Sequence, residues 1–395
     1  MEEWKEVRLG DYIQFQNGYA FKSSDFQERG KYKIVKIKEL KDGGVKFFSD
    51  TACIDIQDFS EYEKYSIEND DVLFALTGDP VSKPNPLSWV GRVSIYKRSE
   101  KALLNQRTCK IIKSDKIDNK FLYYYFRQWE NFYALASKAT GSASQANIST
   151  TTIADTIINL PPLPTQQKIA AILLSLDDKI ELNNKINENL EQQAQALFKS
   201  FSEKSSESVK FTDLIDILGG GTLKTNNEDY WNGNIPFFTP KDVGNPYCLT
   251  TEKTITEDGL NNCNSKLYPV NTIFVTARGT VGKVSLAGVP MAINQSCYAL
   301  KSKDNNQLLA YYYTLEAISS LKHKANGATF DAIVTRDFET ETISVLSQTD
   351  SEKFTQFAKS VYNQILVNQK ENLQLSQLRD TLLPKLLNGE FEVLK

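Results

Sequence analysis

The chain is nearly without the side chain that serves most acid–base and metal chemistry: it has one histidine, His323, in 395 residues. That removes most catalytic and zinc constellations built on imidazole. His323 itself, in the stretch LLAYYYTLEAISSLKHK, reads as a surface residue of a helix. Cysteine is scarce too. Cys53, Cys109, Cys248, Cys263 and Cys297 are odd in number, widely spread and nowhere at a C-x2-C spacing, so they read as reduced, mostly buried thiols. No run of about 18 apolar residues occurs, and the opening MEEWKEVRLGDYIQF has neither a basic nor an apolar signal region; no membrane association and a cytoplasmic location are expected. The net charge of −3 argues against indiscriminate polyanion binding. A hydrophobic content of 41% with mixed charge describes a globular chain, too long for one core, so two or more domains are expected.

A long amphipathic pattern is present twice, 185 residues apart. Ile169, Leu173, Leu176, Ile180, Asn183, Asn187, Leu190, Ala194, Leu197 and Phe201 alternate spacings of four and three; so do Phe354, Ala358, Val361, Ile365, Asn368, Asn372, Leu375, Arg379, Leu382 and Leu386. Such a seam marks helices packing knobs into holes, and a polar residue in it costs stability while fixing register and partner. Asn183, Asn187, Asn368 and Asn372 therefore read as a helix-pairing polar layer, with a surface for partner proteins as the alternative. Each helix is about 50 Å long at roughly 1.5 Å per residue. Units related by a two-fold axis place the two helices antiparallel.

The duplication extends beyond the helices. VRLGDYI at 7–13 answers VKFTDLI at 209–215, GRVSIY at 91–96 answers GKVSLA at 282–287, and NQRTCKII at 105–112 answers NQSCYALK at 294–301. NKFLYYYF at 119–126 answers NQLLAYYYT at 306–314, and ATGSASQANIS at 139–149 answers ANGATFDAIV at 325–334. The offset falls from 202 to 189 to 185, so the first unit carries extra residues, chiefly in GDPVSKPNPLSW. The prolines of NLPPLPTQQ delay the first helix until after Pro164, with Thr165 placed to cap it; the second starts near Asp350, where Asp350 or Ser351 caps, and Pro384 should kink or fray its last turn. Residues 31–46 are lysine-rich, 50–79 acidic and 83–120 basic. A basic face for DNA and an acidic face elsewhere is the expectation, against solvated charge runs as the plainer reading.

LPPLPTQQKIAAILLSLDDKIELNNKINENLEQQAQALFKSF resembles the central conserved region of the specificity (S) subunits of type I restriction-modification systems, and LRDTLLPKLLNGEF is similar to their distal conserved region. GGGTLKTNNEDYWNGNIPFFTPKDV and NGYAFKSSDF with KYKIVKIKEL resemble openings of target-recognition domains; LSQTDSEKF departs from the pattern, standing where a proline-bearing turn is usual. The resemblance implies an α+β chain: two tandem α/β target-recognition domains, 1–162 and 206–347, joined by two long helices, 163–205 and 348–395, pairing as an antiparallel coiled coil. It implies a non-catalytic subunit that binds double-stranded DNA, each domain reading half of a bipartite asymmetric site. The helices set the spacing, about one turn of DNA or roughly 34 Å. They dock two methyltransferase (M) subunits, and restriction/translocase (R) subunits join them. No cofactor site is implied in this chain; S-adenosylmethionine, ATP and magnesium sit on the partners.

Base readout needs paired donors or acceptors, and affinity needs cations or backbone donors at phosphates. Loops carrying such groups beside glycine supply the DNA-binding candidates: Lys22, Ser23, Thr77, Asp79, Lys83, Arg92, Gln106, Arg107, Ser142 and Gln145 in the first unit. In the second they are Thr222, Lys224, Thr225, Lys241, Arg278, Thr280, Lys283, Gln295, Thr329 and Arg336. A turn-stabilising or surface role competes at every one, most strongly for Arg92 and Lys283, which lie inside strand-like runs. The clusters Tyr123, Tyr124, Tyr125 and Tyr311, Tyr312, Tyr313 suit base stacking, but the neighbouring Phe121, Leu122, Leu308 and Leu309 favour core packing. A fused enzyme is the main rival. However, NLPPL at 159–163 lacks the aromatic of an amino-methyltransferase motif, and Leu223 stands where a phosphate loop needs its second glycine in GGGTLKT. A coiled-coil adaptor that binds no DNA is the second rival, and it leaves the divergent globular units unexplained.

Overall fold

The computed structural model describes residues 4–244, 246–324 and 332–390. Strand Val72–Ala75 is buried along its whole length, an apolar run suited to the interior of a sheet covered on both faces. It is third in a six-stranded sheet ordered Gln14–Asn17, Thr108–Ile112, Val72–Ala75, Val93–Ile95, Gly44–Val45, Leu40–Lys41. A four-stranded sheet runs Cys53–Ile54, Tyr32–Val35, Ala102–Leu104, Ser66–Ile67, its central pair parallel. The second half repeats the plan. Ile273–Thr276, equally buried, is third in the sheet Ile215–Gly219, Cys297–Ser302, Ile273–Thr276, Val284–Ala287, Tyr247–Cys248, and a smaller sheet runs Thr254–Ile255, Trp231–Phe238, Ala292–Ile293.

Helices Asn119–Arg127 and Gln307–Lys324 follow these sheets; Asp118 caps the first by accepting from the Phe121 amide at 2.9 Å. Tyr123, Tyr124, Tyr311, Tyr312 and Tyr313 are all buried in the cores, so core packing is their role. Cys263 is half-buried and the other four cysteines are buried; all five are free thiols, and burial pushes Cys248 and Cys297 up to about 12. His323 is exposed at the end of its helix. No described helix is long and apolar enough to cross a membrane.

The chain divides into two compact units. One holds the residues up to Asp178 together with those from Leu375 onward; the other is Lys179–Gln374. Each core draws on both long helices. In the first unit Leu9, Ile13 and Phe121 pack with Ile169 and Leu173 and with Leu383, Leu386 and Leu387. In the second, Phe211 and Tyr312 pack with Ala194 and Phe198 and with Phe354 and Tyr362.

The long helices span Leu163–Ser202 and Gln348–Leu387. The first starts earlier than its prolines imply: Pro164 occupies the opening turn, where a missing N–H is no loss, and the Pro162 carbonyl accepts from Thr165 and Gln166. The second is capped by Ser347 rather than Asp350 or Ser351. The Ser347 hydroxyl accepts from the Asp350 amide at 3.2 Å and donates to the Asp350 carboxylate at 2.9 Å, and the helix continues past Pro384 to Leu387.

Within the second unit Asn183 donates to Asn372 at 2.8 Å and Asn368 to Asn187 at 2.7 Å. Rising numbers on one helix meet falling numbers on the other, so the pair is antiparallel. Asn183, Asn187 and Asn368 are buried; Asn372 is half-buried and also donates to Asn184 at 2.9 Å. Leucine at all four positions is expected to raise stability by about 2 kcal/mol or more through added apolar burial, while light scattering reveals oligomers or misregistered forms. A variant that is more stable and still uniquely monomeric rules out a register-fixing role.

The basic and acidic runs touch at one edge. Lys110 pairs with Asp71 at 3.1 Å, Lys113 with Glu68 at 3.4 Å and Lys120 with Asp70 at 2.8 Å, so the two segments offset each other's charge around the turn that precedes strand Val72–Ala75.

Candidate nucleic-acid interface

The tripeptides Asn105-Gln106-Arg107 and Asn294-Gln295-Ser296 occupy the same tight turn in the two units. The Asn105 carbonyl accepts from the Thr108 amide at 2.9 Å, and the Asn294 carbonyl from the Cys297 amide at 3.1 Å. Each asparagine amide is tied to the smaller sheet, Asn105 to Val35 at 3.1 Å and Asn294 to Phe238 at 2.9 Å. On one flank Tyr19 N–H donates to Leu104 at 2.9 Å, as Gly221 N–H does to Ile293 at 3.0 Å. On the other flank Leu76 N–H donates to Arg107 at 2.9 Å, and Ala277 N–H to Ser296 at 2.8 Å. The carbonyls of Leu76 and Ala277 then accept from Ile148 and Ile333, each at 2.9 Å. Two rigid backbone ladders of one design result, because every rung satisfies polar groups that burial would otherwise penalise.

Glycine permits the close approach. A Cβ on Gly18 would run into the Asn105 carbonyl, and one on Gly220 into the Asn294 carbonyl. Where the chain leaves the ladder, Gly91 (φ +82°) and Gly282 (φ +70°) take the left-handed conformation at equivalent places, which glycine adopts without penalty.

These ladders gather Thr77, Gln106 and Arg107 in the first unit and Arg278 and Gln295 in the second. Gln106, Arg107, Arg278 and Gln295 are exposed, and no hydrogen bond or ion pair occupies their side chains among the described residues. Thr77 is buried and donates to Asn147 at 2.8 Å. Ser142 and Gln145 extend the first ladder on the antiparallel hairpin of Thr140–Ser142 and Gln145–Asn147, which pairs with Thr77–Gly78. The Ser142 hydroxyl accepts from the Gln145 amide at 3.2 Å and so holds the hairpin turn, while the Gln145 side chain is exposed. Asn147, exposed on the same hairpin, was not among the candidates; the polar alternation of SASQAN is the signal for it.

Other candidates stand outside the ladders. Arg92 donates to the carbonyls of Leu87 and Ile37, its Nε has no partner, and burial lowers its pKa despite Asp42 and Asp79 nearby. With Asp79, Thr77 and Gln145 it lines a groove of about 950 Å³ walled by Phe126, Trp129 and Phe132. Thr280 donates to the Pro240 carbonyl at 3.1 Å, and Lys241 pairs with Glu252 at 3.3 Å on the surface. Lys22, Ser23, Lys83, Thr222, Lys224, Thr225, Lys283 and Arg336 are exposed in loops or at element ends; Thr329 lies outside the described residues. Among the described residues no cluster of His, Cys, Asp and Glu could hold a metal ion.

A model described as the type I restriction modification DNA specificity domain matches residues 1–192 and 203–377. The HindI specificity subunit of Haemophilus influenzae is 27% identical over 346 residues, covering 66% of this chain and 74% of that protein. The MjaIX specificity subunit of Methanocaldococcus jannaschii is 26% identical over 330 residues, covering 77% and 76%. In fold, the chain is similar to a type I restriction-modification S subunit from M. genitalium, with a TM-score of 0.62 at 16% identity over 100% of this chain and 97% of that one.

Proposed function

Because the chain belongs to the type I restriction modification DNA specificity family, whose members are non-catalytic recognition components, we propose that it reads a bipartite asymmetric DNA site, one half with each target-recognition domain. Residues 1–162 and 206–347 are the readers in this proposal, and 163–205 and 348–395 are spacer helices that set the distance between half-sites. The helices also dock two methyltransferase subunits, with restriction/translocase subunits joining that complex in the cytoplasm; cofactor chemistry belongs to those partners. The observation that carries the reading is the ladder built twice, each copy ending in exposed polar side chains without internal partners among the described residues. Such groups keep their donors and acceptors for base edges and phosphates.

Mapping methylated positions across the genome of a host that expresses the chain with its methyltransferase subunit tests this. The expected result is one two-part motif with unlike halves and a spacer of fixed length. A single uninterrupted motif, or methylation without sequence preference, overturns it.

A further inference from the structure

The two ladders agree in backbone and differ in side chains, and that difference carries information about the ligand. Resting on the proposed function, both units face the same sugar-phosphate polymer and meet different bases. Groups the units share suit the common backbone; groups in which they differ suit the bases. Gln106 and Gln295 are shared, as are the asparagines before them and the glycines Gly18 and Gly220 pressed against the turn.

Tyr19 answers Gly221 and Leu76 answers Ala277, and the difference in charged side chains falls on two adjacent rungs. Arg107 in the first unit answers Ser296 in the second, whereas Thr77 in the first answers Arg278 in the second. Each ladder thus offers one guanidinium, moved from the turn to the bend that follows the neighbouring strand, a displacement of about 4.8 Å or more. Both arginines are exposed, and neither has a carboxylate partner among the described residues, unlike Arg8, Arg98, Arg127 and Arg379, which are ion-paired. Their backbones are fixed: the Arg107 carbonyl accepts from Leu76 at 2.9 Å, and the Arg278 amide donates to Ser296 at 3.3 Å. A free, planar, two-donor fork on an immobile base matches the O6 and N7 acceptors of guanine in the major groove.

We propose that Arg107 and Arg278 are specificity-determining residues, each reading one guanine, one in each half-site, while Gln106 and Gln295 hold the sugar-phosphate backbone. The test compares methylated positions in hosts expressing the full chain, or its Arg107→Ala, Arg107→Lys, Arg278→Ala and Gln106→Ala variants, with the methyltransferase subunit. Arg107→Ala should cost about tenfold or more in discrimination at one G·C position of one half-site, leaving the other half-site and the spacer unchanged. Arg278→Ala should do the same in the other half-site. Arg107→Lys keeps the charge but loses the fork, so it relaxes the same position and guards against a misfolded alanine variant. Gln106→Ala should lower methylation at all sites without altering the motif. Uniform weakening by the arginine variants, relaxation at an A·T position, or both arginines acting on one half-site overturns the proposal. If the unaltered chain gives no two-part motif, the proposed function itself fails.

Discussion

Replacing Asp177 with alanine is expected to destabilise the first unit by about 3 kcal/mol, as breaking a largely buried ionic cluster does. Asp177 accepts from Arg379 at 2.6 Å, from Arg127 at 3.1 Å and from the Tyr124 hydroxyl at 2.7 Å, joining both long helices to helix Asn119–Arg127. The three charged side chains are only 16–21% exposed, so removing the anion leaves the Arg127 guanidinium without a carboxylate in poorly solvated surroundings and Arg379 with only the more exposed Asp380. Urea unfolding followed by tryptophan fluorescence measures the loss, since Trp4, Trp89 and Trp129 lie in this unit and Trp231 in the other. Replacing the whole cluster, with Asp177→Leu, Arg127→Met, Arg379→Met and Tyr124→Phe together, should recover most of the stability. A change below about 0.5 kcal/mol for the single variant shows that solvent screens the cluster.

Gly220→Ala is expected to cost about 2 kcal/mol or more, by overpacking, and to abolish reading of the half-site assigned to the second unit. The added Cβ meets the Asn294 backbone carbonyl, which has no rotamer to change, so the strand or the turn must move. Gly18→Ala should act in the same way on the first unit through Asn105. Its neighbour in sequence supplies the control: a methyl group on Gly219 would have nothing within 4 Å of it, and alanine there should change stability by less than about 0.5 kcal/mol. Thermal unfolding gives the first quantity. Hydrogen exchange at Gly221, whose amide donates to Ile293 at 3.0 Å, reports whether the ladder has opened. Equal behaviour of the two alanine variants at 219 and 220 means that the close approach is not needed.

Much of this organisation is legible in the amino acids. The offsets 202, 189 and 185 that align the halves are those that relate Tyr19 to Gly221, Asn105 to Asn294 and Ile148 to Ile333 in the ladders. The four-three spacing of the seams gives two helices, and their asparagines meet across the pair. Sign separation along a chain does not by itself give separation in space. Lys110 and Asp71 are 39 residues apart and become neighbours only when strands Thr108–Ile112 and Val72–Ala75 pair. Ser142 and Thr280 show a second limit. A small hydroxyl beside glycine serves a turn as readily as a ligand, and only the partner on the far side of the loop decides. The Ser347 cap, by contrast, was readable in the S-Q-T-D spacing.

The distribution of the two cores along the chain leaves the N-terminal half waiting for its last partners during synthesis. The second unit is one contiguous stretch, Lys179–Gln374. The first unit begins earlier but lacks Leu383, Leu386 and Leu387, which complete the core around Leu9 and Ile13, until the whole second unit has been made. At about 5–20 residues per second the stretch from Lys179 to Leu383 takes roughly ten to forty seconds to make. During that time the N-terminal half holds apolar surface open, so it is the part of the nascent chain most dependent on chaperones.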